Sequence, residues 1–176
     1  MTHDWITYKR RSFDLLQEYK KSDLICAELG VFQGHNAVYM LETDSTMLLY
    51  LIDGYVNMEN DPYPNGIADL IKEAEENLFP FKDRIVWIRK QAEEAVKDYP
   101  DEYFDYVYID ANHFEGIFKD ITDWYPKVKA GGILAGHDIG MPTVEEAVGK
   151  FIHENNIKNW GISHIEAKES DWWIFK

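Results

Sequence analysis

Two pairs of ionisable side chains, Asp110 with His113 and His137 with Asp138, each follow a short aliphatic run. If those runs are neighbouring parallel strands, Asp110 and Asp138 meet at one rim of a sheet. Carboxylates held that close repel unless one is protonated or both share a cation. Oxygen ligands of this kind suit Mg²⁺, which keeps several waters or substrate oxygens in its shell. A hydroxyl at such an ion loses its proton more readily and becomes a better nucleophile. His113 has the pKa range to remove that proton, which makes His113 and Asp110 the candidate catalytic pair. A plainer reading stands beside this one. His137 hydrogen-bonds loop backbone, Asp138 caps the following turn, and Asp110 only positions a ligand.

A second group of residues lies earlier in the chain. The run Glu28-Leu29-Gly30-Val31-Phe32-Gln33-Gly34 ends an apolar segment and opens a helical one. Glycines there let backbone approach a ligand at a helix N-terminus. A dinucleotide turn has no use for an acid beside a diphosphate, and Glu28 stands in this turn. A carboxylate favours an ammonium group instead. Asp53 follows 23 residues after Gly30, the distance at which an acid accepts hydrogen bonds from ribose hydroxyls. A ligand with a cationic amino-acid end and an adenosine end satisfies both, and S-adenosylmethionine is such a ligand. Gln91 and Ala92 begin a later helix and are assigned to the adenine edge, the alternative being that Gln91 merely starts that helix. Asp110 is counted among the cofactor residues as well.

These side chains need a scaffold that brings strand ends together. Near-continuous apolar runs at residues 23–29, 47–53, 84–88, 104–110 and 132–137 read as strands buried on both faces, as in a parallel sheet. Helical spacing joins Ile67, Leu70, Ile71 and Ala74, then Phe114, Ile117, Phe118, Ile121 and Trp124, then Val144, Val148, Phe151 and Ile152. Pro142 fits the first turn of the last of these helices. Residues 162–166 and 172–175 read as a closing hairpin. The expectation is an α/β, Rossmann-like three-layer sandwich on a mostly parallel seven-stranded sheet with a C-terminal antiparallel hairpin. Helices cover both faces, and ligand sits beyond the carboxyl ends of the strands. One domain spans residues 1–176, residues 1–22 forming an N-terminal helical extension, with a helix at about 11–20. The proline-broken stretch 54–65 follows the second strand, as a lid or a plain surface loop.

The block FDYVYIDANHFEGIFKDITDWYPKVKAGGILAGHDI, together with the glycine turn and Asp53, resembles class I S-adenosylmethionine-dependent methyltransferases. It is most similar to the branch related to macrocin-type sugar O-methyltransferases and, more distantly, to catechol O-methyltransferase. The resemblance implies a metal held by Asp110, His137 and Asp138, with His113 as base. It departs at His137, where related metal-dependent enzymes usually carry a carboxylate. Imidazole partners Mg²⁺ less well than Mn²⁺, Fe²⁺ or Zn²⁺.

Composition narrows the acceptor. A net charge of −14 repels phosphate backbones and anionic lipid, which disfavours nucleic acid and membrane as partners. The lone Cys26 sits in an apolar run and reads as a buried structural thiol. With neither a signal-like leader nor a spanning run, the expected location is the cytoplasm. The expected activity is methylation of a small hydroxylated acceptor, a sugar or a phenolic natural product, and a homo-oligomer is compatible with a chain that has little beyond the core fold to cover its site. The competing readings are a catalytically inactive cofactor-binding module acting through protein partners and, against the sense of Glu28, a nucleotide-dependent oxidoreductase.

Overall fold

A computed structural model describes residues 10–20, 22–56, 66–111, 116–163 and 170–176. Its strands are β1 (Ile25–Leu29), β2 (Leu48–Ile52), β3 (Ile85–Ile88), β4 (Phe104–Ile109), β5 (Val128–Gly136), β6 (Trp160–Ile162) and β7 (Trp172–Phe175). The helices are α1 (Arg11–Tyr19), α2 (His35–Thr43), α3 (Ile67–Leu78), α4 (Ala92–Ala95), α5 (Ile117–Trp124) and α6 (Pro142–Glu154). All seven strands form one sheet in the order β3-β2-β1-β4-β5-β7-β6. Strands β1 to β5 run parallel, while β7 is antiparallel to both β5 and β6. The expected Rossmann-like sandwich with a C-terminal antiparallel pair is present.

Period-two alternation sorts the strand side chains to two faces. Tyr106, Tyr108, Ile133 and Ala135 pack with Phe13 and Leu16 of α1, Met40 and Leu41 of α2, and Leu78 of α3. Val107, Ile109 and Leu134 pack with Ile121 and Trp124 of α5 and Val144, Val148 and Phe151 of α6. Every residue of β4 is buried, as a strand covered on both sides must be. Cys26 is a buried free thiol, Trp124 and Trp172 are core residues, and Trp160 lies half exposed on the edge strand.

Two elements differ from the sequence reading. Strand β5 starts at Val128 and leaves its β4 partner between Val128 and Ile133, since Gly131 takes φ +74° there. The hairpin's first strand is Trp160–Ile162, so it ends where a strand was expected to begin. Gly161 lies one residue before the expected strand, and a Cβ there would lie 2.5 Å from the Trp173 indole, which fills its place. Residues 164–169, most of the loop at 54–65, and His113 fall outside the described residues. No described helix is long and apolar enough to cross a membrane.

Candidate active site

The parallel ladders stagger β2, β1, β4 and β5 so that the residues following them form a row. Gly30 N–H donates to Ile52 O (2.9 Å), Asp110 N–H to Leu29 O (2.8 Å) and His137 N–H to Ile109 O (3.1 Å). The antiparallel ladder, extended one residue past Gly136–Trp172, sets Asp171 opposite His137. Across the carboxyl edge the row therefore reads Asp53, Gly30, Asp110, His137, Asp171. It crosses the β1/β4 boundary, where the strand order reverses and α/β sheets bind ligand.

At the first end of the row Asp53 organises backbone. Its Oδ2 accepts the Val31 and Phe32 amides at 2.8 and 3.2 Å, and Oδ1 accepts the Tyr55 amide at 2.7 Å. Phe32 and Tyr55 have φ of 51° and 43°, costly conformations that the carboxylate holds in place. Tyr55 Oη donates to Phe32 O at 2.9 Å and closes the loop onto the glycine turn. The Arg89 guanidinium stacks 4.7 Å from the Tyr55 ring and 4.2 Å from Trp87, a support that sequence reading missed. Asp53→Ala is expected to leave three amides without their acceptor. It should lower Tm and weaken S-adenosylhomocysteine binding at least tenfold in calorimetry, by about 1–3 kcal/mol. Unchanged affinity would remove Asp53 from the cofactor site.

The two glycines of the turn serve chain packing. A Cβ on Gly30 would meet Asp110 O at 2.1 Å, and one on Gly34 would meet Leu78 Cδ1 at 2.7 Å. Close approach was expected, but to a ligand; here the approaching groups are the end of β4 and helix α3. Gln91 precedes α4, and its amide lies where a Gly54 Cβ would be, 2.0 Å from that position. Gln91 thus borders the end of β2, and Ala92 is the first residue of α4. His35 opens α2.

Glu28 lies one turn of the sheet below the row and is 1% exposed. Its Oε1 accepts Asn36 Nδ2 at 2.8 Å, while Oε2 is buried without a hydrogen-bond partner. Burial pushes its pKa up to about 8, the Asn36 bond opposing and Asp110 assisting. Asn36 Oδ1 accepts Arg10 Nε at 2.9 Å, and Arg10 Nη1 pairs with Asp171 Oδ1 at 3.0 Å. Tyr108 Oη donates to that same Asp171 oxygen at 2.8 Å. A buried polar chain therefore joins Glu28 to Asp171 beneath the row. Its only sequence trace is polar residues within apolar runs, such as Tyr108 and the aspartate before Trp172.

At the acceptor end, ligand atoms of Asp110, His137 and Asp138 lie within 4.8 Å of one another. His137 Nδ1 is 3.1 Å from Asp138 Oδ1 and 3.9 Å from Asp110 Oδ1, and all three side chains are partly exposed. Asp138 takes φ 59°, a strained turn that aims its carboxylate back at His137. One imidazole nitrogen and two carboxylates on a rim make a donor set that fits a divalent cation of the Mn²⁺, Fe²⁺ or Zn²⁺ type.

None of the curated proteins compared matches the chain at a significant level. Many solved structures share its fold. A putative caffeoyl-CoA O-methyltransferase from Staphylococcus aureus superposes with a TM-score of 0.68 at 15% identity, over 96% of this chain and 85% of that one. The O-methyltransferase NovP gives 0.67 at 15% identity, over 94% and 77%. An rRNA methylase from Streptococcus thermophilus gives 0.66 at 12% identity, over 96% and 97%. A family model described as a methyltransferase domain matches residues 27–139, from the middle of β1 to the turn that carries Asp138. Because that match spans well over half of the chain and takes in the strand-end row from Asp53 to His137, this protein belongs to the S-adenosylmethionine-dependent methyltransferase family.

Proposed function

We propose that the chain transfers the methyl group of S-adenosylmethionine to a hydroxyl of a small acceptor, a sugar or a phenol, assisted by a divalent cation held by Asp110, His137 and Asp138. The observation that carries this reading is the convergence of those three ligand atoms at the carboxyl edge, beside the glycine turn. When bound, the cation supplies Lewis acidity that makes an acceptor hydroxyl more acidic. Asp53 and the amides it holds orient the ribose, Gln91 and Ala92 border the adenine, and Glu28 faces the amino-acid end. His113, three residues beyond Asp110 in sequence, takes the acceptor's proton. The acceptor oxygen then attacks the methyl carbon in line, and the bond to sulfur breaks. Positioning of oxygen and methyl supplies much of the rate.

Two of the fold neighbours are themselves named as O-methyltransferases, which accords with oxygen as the acceptor atom. Resemblance of residues 104–139 to the macrocin-type branch favours a sugar. The rRNA methylase on the same fold shows that architecture leaves the acceptor open. A net charge of −14 weighs against a polyanion or an anionic membrane.

The test is product formation from a panel of sugars and phenols, with chelator and with added metal. Chelation should reduce turnover at least tenfold, Mn²⁺ restoring it better than Mg²⁺, and Asp110→Asn should abolish the rescue. His113→Gln should slow turnover and leave S-adenosylhomocysteine affinity unchanged. Full activity in chelator would remove the cation, and a product methylated at nitrogen or carbon would remove the oxygen assignment.

A further inference from the structure

His137 stands where a carboxylate ligand would need no help, and an imidazole ligand does need help. A metal-bound imidazole must keep its proton on the far nitrogen, and an acceptor there fixes both tautomer and ring orientation. His137 presents Nδ1 to Asp138 and Asp110, so its far nitrogen is Nε2, which is buried without a hydrogen-bond partner. One step beyond the last pair of the β5–β7 ladder, Gly136 and Trp172, Asp171 comes opposite His137; it is 1% exposed, and its Oδ2 is likewise buried without a partner. Cross-strand neighbours on one face have Cβ atoms about 4.5–5.5 Å apart. Two orphaned atoms, one a donor when protonated and the other an acceptor, thus face one another's strand at the end of the row.

Resting on the cation reading above, we propose that Asp171 is the positioning residue for His137, accepting its Nε2 proton so that Nδ1 turns a lone pair to the cation. A neutral imidazole has one N–H proton to place. Without the ion that proton sits on Nδ1, drawn by Asp138 at 3.1 Å; with the ion it sits on Nε2, against Asp171. The remaining contacts of Asp171 suit this role. Arg10 and Tyr108 both use Oδ1, at 3.0 and 2.8 Å, which locks the carboxylate and reserves Oδ2. Arginine and carboxylate frequently pair through both oxygens, whereas here Oδ2 is left out of the contact. Arg10 continues through Asn36 to Glu28, so the ion's outer partner and the buried acid at the cofactor end share one polar chain.

The experiment uses the full chain, uniformly labelled with ¹⁵N. Free Mn²⁺ is counted by electron paramagnetic resonance, and the His137 tautomer is read from long-range ¹H–¹⁵N correlations with Zn²⁺ added. In the wild type, Zn²⁺ should occupy Nδ1 and leave Nε2 protonated. Asp171→Asn preserves shape and the Oδ1 acceptor, but its amide donates to Nε2 and holds the proton on Nδ1. Mn²⁺ affinity should then fall about 10- to 100-fold. Tyr108→Phe, which removes a donor from Oδ1 alone, should stay within about threefold of wild type. In a His137→Asp background, which has no tautomer to set, Asp171→Asn should change nothing. Wild-type protein that binds no Mn²⁺ overturns the cation reading and this inference together. Binding that Asp171→Asn leaves intact, or that Tyr108→Phe weakens equally, overturns the inference alone. So does ligation through Nε2 in the wild-type spectrum, which needs no variant to fold.

Discussion

Gly30→Ala is expected to destabilise the chain by more than about 3 kcal/mol and to abolish cofactor binding in whatever fraction still folds. Two costs add. The residue sits at φ +83°, where an L side chain is strained by roughly 1–2 kcal/mol. Its new Cβ would also lie 2.1 Å from Asp110 O, 2.6 Å from Asp110 C and 2.8 Å from Ala111 Cα. These are backbone atoms that cannot rotate aside, so β1 and β4 must part. Parting them breaks the bond from Asp110 N–H to Leu29 O and moves Asp110 away from His137. Gly34→Ala shares the positive φ but meets only the end of the Leu78 side chain, so its effect on Tm should be smaller. Gly149→Ala, in α6 with open space around it, should gain up to about 1 kcal/mol and serves as the control. Denaturant unfolding of the three variants gives the ranking, and a Gly30→Ala chain as stable as Gly34→Ala would refute the close-approach argument.

The same contact shows what sequence can and cannot reveal here. That a glycine must follow β1 was legible, because a strand-turn-helix with Glu28, Gly30 and Gly34 is a local pattern. What the glycine must avoid was not, because Asp110 is distant in sequence and adjacent only through the β1–β4 pairing. The meeting of Asp110, His137 and Asp138 was legible for a related reason. Parallel strands place their carboxyl ends on one edge, so residues that close two neighbouring strands must converge. Arg10 and Asp171 carried no such signal. They lie 161 residues apart, and their contact needs β7 inserted between β5 and β6 with α1 lying across that end of the sheet. Insertion of a strand is a tertiary choice that hydrophobic period does not encode. The start of β6 was hidden for a smaller reason, since Gly161 makes room for the Trp173 indole only once β6 and β7 are paired.

Glu28 gives the largest expected pH dependence of binding, and its sign follows from burial. With its pKa near 8, the carboxyl is mainly protonated at neutral pH. An ammonium group at its unpartnered Oε2 favours the ionised form, so binding a ligand with a cationic amino-acid end expels a proton below pH 8. Affinity for S-adenosylhomocysteine should therefore rise with pH, by about fifty-fold between pH 6 and pH 8. The rise then levels off above pH 8, where Glu28 is already largely ionised before the ligand arrives. Glu28→Gln resembles the protonated acid in shape and charge. Its affinity should match wild type near pH 6 and lag by about fifty-fold at pH 8. Stability of the unliganded chain should move the other way. The folded state holds a proton on Glu28 that the unfolded state releases near pH 4.5, so wild type loses stability as pH rises from there to 8. Glu28→Gln removes that loss. Calorimetric titration at three pH values separates the outcomes: an affinity ratio that stays constant across them would mean that no cation meets Glu28. A growing ratio would instead make this buried acid the group that reads the charge of the cofactor, and would explain why the chain keeps a carboxyl where its core leaves one oxygen unpaired.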